Sequence, residues 1–328
     1  MMNAVWSRNA VLYEMNLRQT TSEGTLAAAA ERLGFLRDLG IDAVWLMPHY
    51  PIGEVGRKGS LGSYYSIRDY RAVNPEFGTM ADFDVFVRRA HALGMKVLID
   101  WVANHTSRDA RWLAECPADW YERDASGRPV VPNGWDDTAK LDYTNRAVWQ
   151  GQIDAMRFWL AEHGVDGFRC DMAMLVPIEF WQEAARRLRA VKPDLFLLAE
   201  AEEPYLFDGA FDACYTWELH HLMNDVARQD KRVTAIRDYL YADRGEYEKP
   251  DELYSLTRNG YVLTDKQELW SDSLDYYRAT GHLVLRRNIQ IDDTEHKSLA
   301  FGDYGEYWKE PVRALLTRRP AVVSYDPQ

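Results

Sequence analysis

An α/β fold, the (β/α)8 TIM barrel with a small excursion domain after its third strand, is what the sequence predicts, and three observations carry the prediction. Short, nearly continuous apolar runs alternate along the chain with longer segments of helical period, the pattern of strands buried on both faces of a parallel sheet and of their crossover helices. The 328 residues, 47% hydrophobic and 27% charged, suffice for one large barrel and exclude disordered or low-complexity classes. Acidic residues close several of the strand-like runs, Asp100, Asp171 and Glu200 among them, and the C-terminal strand ends are where barrel enzymes carry their sites.

The elements follow in order. VLYEMNL (11–17) is the first strand, and an Ala-rich helix over 25–39 ends at Gly40. IDAVWLMP (41–48) is the second strand, followed by a Gly-rich loop and a helix near 80–93 closed by Gly94. MKVLIDWV (95–102) is the third. The polar stretch 104–145, with Pro117, Pro129 and Pro132, is too long for a plain strand-to-helix loop and reads as the excursion domain. A helix at 146–163 leads to VDGFRCD (165–171), a helix at 177–191 to LFLLAE (195–200), and a turn to FDACYT (211–216). The first strand is followed by RQTTSEGT, which lacks G-x-G-x-x-G, and this counts against a nucleotide-binding doubly wound sheet. Beyond a charged helical stretch at 217–245, HLVLRRNIQI (282–291) reads as a seventh strand, 303–317 as a helix and AVVSY (321–325) as an eighth strand. The expected division is therefore 1–103 as the first part of the barrel, 104–145 as the excursion domain and 146–328 as the remainder of the barrel. An eighth helix and a C-terminal β-sandwich are expected to be absent.

The charge balance narrows the ligand class. Lys plus Arg number 39 against 51 Asp plus Glu, a net charge of −12, which disfavours phosphate backbones and anionic lipid surfaces. Cys116, Cys170 and Cys214 have neither disulfide-framework nor metal spacing. The N-terminal MMNAVWSRNAVLYEM lacks the basic and apolar regions of a signal peptide, and no run of about 18 apolar residues could span a bilayer. A cytoplasmic chain with no nucleic-acid or membrane partner is expected. With 12 Trp, 19 Tyr and 11 Phe, the aromatic content suits either recognition of sugar rings or an aromatic-rich core.

The strand-end residues point to acid–base chemistry. Alternation along VDGFRCD puts Arg169 and Asp171 on one face, where the guanidinium would keep the carboxylate ionised, as a nucleophile requires. Glu200 follows four apolar residues, a setting that raises a carboxyl pKa toward that of a general acid. Two carboxyls in different environments on adjacent strands are the equipment for glycosidic cleavage, and a separation near 5 Å implies retention. DWVANH (100–105) adds Asp100, Asn104 and His105. His105 can donate to a hydroxyl, and Asn104 is a candidate ligand for a structural calcium ion, with no other cofactor required.

These segments resemble the α-amylase family, glycoside hydrolase family 13, in family order. DWVANH resembles its first motif, GFRCDMAMLVP (167–177) its second and LLAEAEEP (197–204) its third, while LGSYYSIRDYRAVNPEFGT (61–79) resembles the segment after the second strand. The resemblance implies Asp171 as nucleophile with Arg169 as its partner, Glu200 as proton donor, Tyr65 stacked against the sugar, and Asp100 and His105 as substrate-binding groups. It implies an enzyme acting with retention on α-glucosidic bonds of small oligosaccharides, as hydrolase or transglycosylase. The family's fourth motif, Asn-His-Asp, is missing. In RRNIQIDDTEHKSLAFGD (286–303), Asp292, Asp293 and Thr294 stand in its place, with Asp293 the candidate third carboxylate. The departure motivates a rival reading, a barrel that binds carbohydrate or a partner without cleaving. A metal hydrolase built on the adjacent His220 and His221 lacks a ligand cluster.

Overall fold

The computed structural model describes residues 4–230, 240–241, 244–248, 253–263, 267–308 and 313–324. The chain divides into two compact units, one up to Tyr215 and one from Thr216 onward.

The first unit is built on six parallel strands: β1 (Leu12–Met15), β2 (Ala43–Leu46), β3 (Lys96–Val102), β4 (Gly167–Asp171), β5 (Phe196–Ala199) and β6 (Ala213–Cys214). Each pairs with the next in sequence. A doubly wound sheet would reverse its order at a switch point, whereas strictly sequential parallel neighbours follow barrel topology. The helices α1 (Leu26–Asp38), α2 (Met80–Ala92), α3 (Arg146–Ala161) and α4 (Ile178–Arg189) are the crossovers. The start of α2 is fixed by a reciprocal cap, Thr79 accepting from the Asp82 N–H while the Asp82 carboxylate accepts from the Thr79 N–H.

Alternation along the strands gives the sheet two unlike faces. Val44, Leu46, Val97, Ile99, Trp101, Phe168, Cys170 and Leu197 join Leu33, Phe83, Phe86, Trp159 and Trp181 from the helices in the main core. The other face carries a smaller cluster of Trp45, Leu98, Phe196 and Leu198, and beyond it Asp100, Arg169 and Asp171, all buried. Much of the aromatic surplus is therefore core: Trp101, Trp159, Trp181, Tyr50, Phe77, Phe83 and Phe86 are among the largest fully buried side chains.

Gly167 sets the spacing between β4 and its neighbours. A Cβ there would collide with the Phe196 carbonyl and lie 2.8 Å from the Leu98 side chain. We expect Gly167→Ala to cost about 1–3 kcal/mol as overpacking, read as a lower denaturant midpoint at unchanged m-value; an unchanged midpoint would refute the assignment.

The 104–145 segment leaves the sheet after β3. It contains one antiparallel strand pair, His105–Ser107 with Thr138–Lys140, and a small core of Tyr121, Ala139 and Leu141, joined by Val148 of α3.

The second unit corrects the expected end of the barrel. It holds α5 (Trp217–Ala227) and, among the described residues, an eight-stranded antiparallel sheet: β7 (Leu240–Tyr241), β8 (Arg244–Glu248), β9 (Leu253–Leu263), β10 (Gln267–Tyr277), β11 (His282–Asp293), β12 (Ser298–Trp308), β13 (Arg313–Thr317) and β14 (Ala321–Ser324). Leu256, Leu269, Leu274, Leu285, Ile289 and Ile291 form its core. Residues 282–291 are a strand, but an antiparallel one between β10 and β12, so they are not a seventh barrel strand. Of the helix expected at 303–317, the described residues form the end of β12 and β13, because Tyr304, Gly305, Tyr307 and Trp308 favour extended chain over helix. AVVS pairs antiparallel with β12, so 321–324 is not an eighth parallel strand, and Tyr325 lies outside the described residues. The expectation that 146–328 is the remainder of the barrel is thus corrected from Thr216 onward, where the described strands are antiparallel. No helix among the described residues is long and apolar enough to cross a membrane, and the three cysteines are free.

Candidate active site

The polar end of the first unit's sheet is organised around one guanidinium. Asp100 on β3 lies opposite Arg169 on β4 in the parallel register, and Val102 opposite Asp171, so the three polar side chains share a face. Arg169 Nη1 donates to Asp100 Oδ1 at 3.0 Å and to Asp171 Oδ1 at 3.2 Å. Its Nη2 meets Glu200 Oε1, just past β5, at 2.8 Å, and its Nε donates to the Tyr215 hydroxyl at 3.2 Å. Trp45, Tyr65 and Tyr215 surround the cation, their ring centroids 4.9, 5.9 and 5.6 Å from Cζ.

Side-chain exposure rises from 0% at Asp100 through 4% at Arg169 and 9% at Asp171 to 20% at Glu200. The gradient decides which groups can meet a ligand. Glu200 and Asp171 can, whereas Asp100 lies behind them, accepting from Trp45 Nε1 at 3.2 Å and from the Tyr65 hydroxyl at 3.4 Å. Asp100 was expected to bind substrate; here it holds Arg169.

Three carboxyls around one guanidinium cannot all ionise cheaply in a buried site. Burial, reinforced by the Asp100 charge, pushes the Asp171 carboxyl up to about 8 against the pull of Arg169. Burial pushes Asp100 up to about 7, again opposed by Arg169. The guanidinium stays charged: burial opposes the charge, but Asp100 and its other neighbours outweigh it and raise its pKa. The pull of Arg169 toward the ionised form is the one the sequence predicts for Asp171; burial, which the sequence does not show, opposes it.

Asp171 is followed by a left-handed residue, Met172 (φ 43°, ψ 48°), a conformation costly for a side chain with a Cβ. The turn aims the Met172 N–H at Glu200 Oε2, 3.0 Å away. Glu200 is thus clamped by Arg169 on one oxygen and by a backbone donor on the other.

His105 is nearly buried, and burial pushes its pKa down to about 4, so the ring is neutral near pH 7. Nε2 lies 3.2 Å from the Tyr65 carbonyl, and Nδ1 lies 3.3 Å from Asn104 Nδ2. A carbonyl only accepts, so Nε2 carries the proton and Nδ1 accepts from Asn104. His105, expected to donate to a sugar hydroxyl, spends that proton on the backbone of Tyr65. Calcium takes six to eight oxygens, yet Asn104 turns its amide NH2 to His105, and no group of three or more His, Cys, Asp or Glu gathers among the described residues. Facing its NH2 to His105 leaves Oδ1 as the oxygen that the Asn104 side chain could offer such an ion.

Asp293 ends β11 in the second unit, opposite Gln267 and Ser298. Its carboxylate accepts from Gln267 Nε2 at 2.7 Å and from the His296 N–H at 2.8 Å. It ends an antiparallel strand, whereas the resemblance that suggested it as third carboxylate places that motif on a barrel strand. His220 and His221 lie on α5. Trp45, Tyr215 and Trp135 were not anticipated. The strand alternation that marked Arg169 could have found the first two, since Trp45 pairs with Leu98 on the polar face.

A sequential parallel sheet with helical crossovers, and paired carboxyls beyond its C-terminal edge, define a barrel-type α/β domain with the acid–base equipment of a glycosidase site. A family model for the α-amylase catalytic domain matches residues 14–247, and the chain belongs to that family, glycoside hydrolase family 13. Alpha-amylase 3 of Dictyoglomus thermophilum is 30% identical over 229 residues, covering 60% of this chain and 44% of the relative. The trehalose synthase/amylase TreS of Mycobacterium tuberculosis is 32% identical over 258 residues, covering 60% and 40%. The crystal structure of an α-amylase from Lactobacillus plantarum aligns with a TM-score of 0.67 at 38% identity, over 71% of this chain and 58% of that one. The chain thus spans less than half the length of these curated relatives.

Proposed function

We propose that the chain cleaves or transfers α-glucosidic bonds of small malto-oligosaccharides with retention of configuration, through a glycosyl ester on Asp171. The observation that carries the reading is the single guanidinium of Arg169 bonded to Asp100, Asp171 and Glu200 together. Arg169 reaches Asp171 through Nη1 at 3.2 Å and Glu200 through Nη2 at 2.8 Å, so one guanidinium holds the two carboxyls close, which favours the short separation of retaining enzymes.

In the free chain this cluster holds a proton near neutral pH. A sugar entering from the Glu200 side draws that proton to Glu200, where it is needed on the leaving oxygen, and leaves Asp171 as the anion that attacks the anomeric carbon. Glu200, now ionised, then takes the proton of the incoming water or sugar hydroxyl while the ester breaks. Arg169 and the Met172 N–H keep Glu200 in place through both steps.

A 5-fluoro-α-glucosyl fluoride tests this. It is expected to inactivate the chain with one label per molecule, on the peptide bearing Asp171. Turnover of maltose with no label on Asp171, or a label elsewhere, would refute the nucleophile. A second reading, a binder without turnover, is favoured by the position of Asp293 in the antiparallel sheet; sugar binding with neither label nor product would establish it.

A further inference from the structure

We propose that Trp135, from the 104–145 segment, is a stacking platform for a sugar unit adjoining the cleaved bond and sets the preference for longer oligosaccharides. The inference rests on the proposed function and deepens it. Trp135 is half-buried, and among the described residues its ring neighbour is His105, with centroids 5.2 Å apart at 55°. His105 is bonded to the Tyr65 carbonyl, and Tyr65 reaches Asp100 and flanks Arg169. A continuous line of contacts therefore runs from the carboxyl cluster to the indole.

The backbone under the indole is held firmly. The Trp135 carbonyl accepts from the Thr138 hydroxyl at 2.7 Å and from the Thr138 N–H at 2.9 Å. The Ser66 hydroxyl, next to Tyr65, donates to the Asp137 carbonyl at 2.9 Å, and Arg108 donates to the Asp136 carbonyl at 3.2 Å. Lys58 bridges the Asp136 and Asp137 carboxylates. Gly56, at φ +74°, leaves room for this segment, since a Cβ there would lie 2.9 Å from the Asp136 carbonyl oxygen. An aromatic ring on so constrained a backbone loses little entropy on binding. Its flat face with an N–H at the edge matches the apolar face and hydroxyl rim of a pyranose. Core packing does not account for it: Trp135 belongs to none of the hydrophobic clusters, whereas Trp112 and Trp120 of the same segment pack against its small core.

The test is the kinetics of Trp135→Ala and Trp135→Phe on maltose, maltotriose and maltotetraose. For Trp135→Ala, KM for maltotetraose should rise about five- to tenfold with kcat within about twofold, the range expected for losing one aromatic stack. The smallest change should be on maltose, and Trp135→Phe should recover most of the loss. An unchanged KM for maltotetraose in Trp135→Ala, beside an active parent chain, would overturn the proposal alone. So would an equal fall in kcat on all three sugars in both variants, the mark of a merely structural role. A parent chain that neither binds nor cleaves any of the three would overturn the functional reading and this inference with it.

Discussion

Replacing Arg169 by Met is expected to abolish turnover of α-glucosides and to lower the stability of the first unit by about 3–5 kcal/mol, the cost of leaving buried charge uncompensated. The substitution keeps an unbranched stem but removes the partner of Asp100, Asp171, Glu200 and Tyr215 at once. Asp100 is fully buried, so without the cation its carboxyl rises beyond about 7, and that of Asp171 beyond about 8. The sign of the pH dependence follows. A carboxyl whose folded pKa lies above its unfolded value near 3.8 contributes stability below that value and loses it as pH rises through the folded pKa. Parent and Arg169→Met lose this contribution together up to about pH 7, so the pH-dependent part of the deficit should be small near pH 4 and grow above pH 7, with the midpoint there falling by about 6–20 °C for a unit of this size. Arg169→Lys should not restore activity, because one ammonium cannot reproduce the planar fork that reaches three carboxylates. Thermal unfolding at several pH values, beside kcat/KM on maltotriose, checks the set. A Met variant as stable and as active as the parent would show that the cluster is organised by something else.

The parts of this site that were legible in the sequence are those governed by a period of two. Asp100, Arg169 and Asp171 were placed on one face by alternation alone, because a strand buried on its helix-facing side leaves polar residues no other place to go. The roles of Asp100 and His105 were not legible. Whether a strand-end side chain faces ligand or backs another residue depends on depth, and depth comes from packing by Trp45 and Tyr65, which sequence does not order. For Asp171, likewise, the Arg169 partner is visible in GFRCD, but the burial that opposes it is not. Trp135 was hidden among 12 tryptophans, of which Trp45, Trp101, Trp149, Trp159 and Trp181 are buried. In the second unit, 303–317 was read for helix although Gly305 and the aromatics around it resist one, and register across β11 and β12 is a long-range property that no local pattern states.

Acid is expected to destabilise the chain through a residue that takes no part in the chemistry. His49 is fully buried, with neither ring nitrogen bonded among the described residues, and packed against Tyr50, Phe83 and Trp159 with centroids 4.4, 4.9 and 4.8 Å away. Burial, with the charge of His163 next, pushes its pKa from 6.5 down to about 3. His163 is itself engaged by Asp84 at 2.6 Å. Because the folded pKa lies below the unfolded one, the unfolded chain binds more protons between pH 6.5 and 3, and stability falls as pH drops through that window. The contribution lost by pH 4 is on the order of 3 kcal/mol. His105, pushed down to about 4, acts in the same direction, while the raised carboxyls of Asp100 and Asp171 act in the opposite one. Absolute pH profiles therefore mix the terms, and the difference between two proteins isolates one. His49→Phe keeps a ring of similar size in an aromatic box and removes the titration. Between pH 7 and pH 4 the parent should lose about 3 kcal/mol more unfolding free energy than His49→Phe, measured by denaturant titration at each pH. Parallel losses in the two would mean that His49 is protonated in the folded chain, and that the aromatic box tolerates a charge its geometry gives no means of solvating.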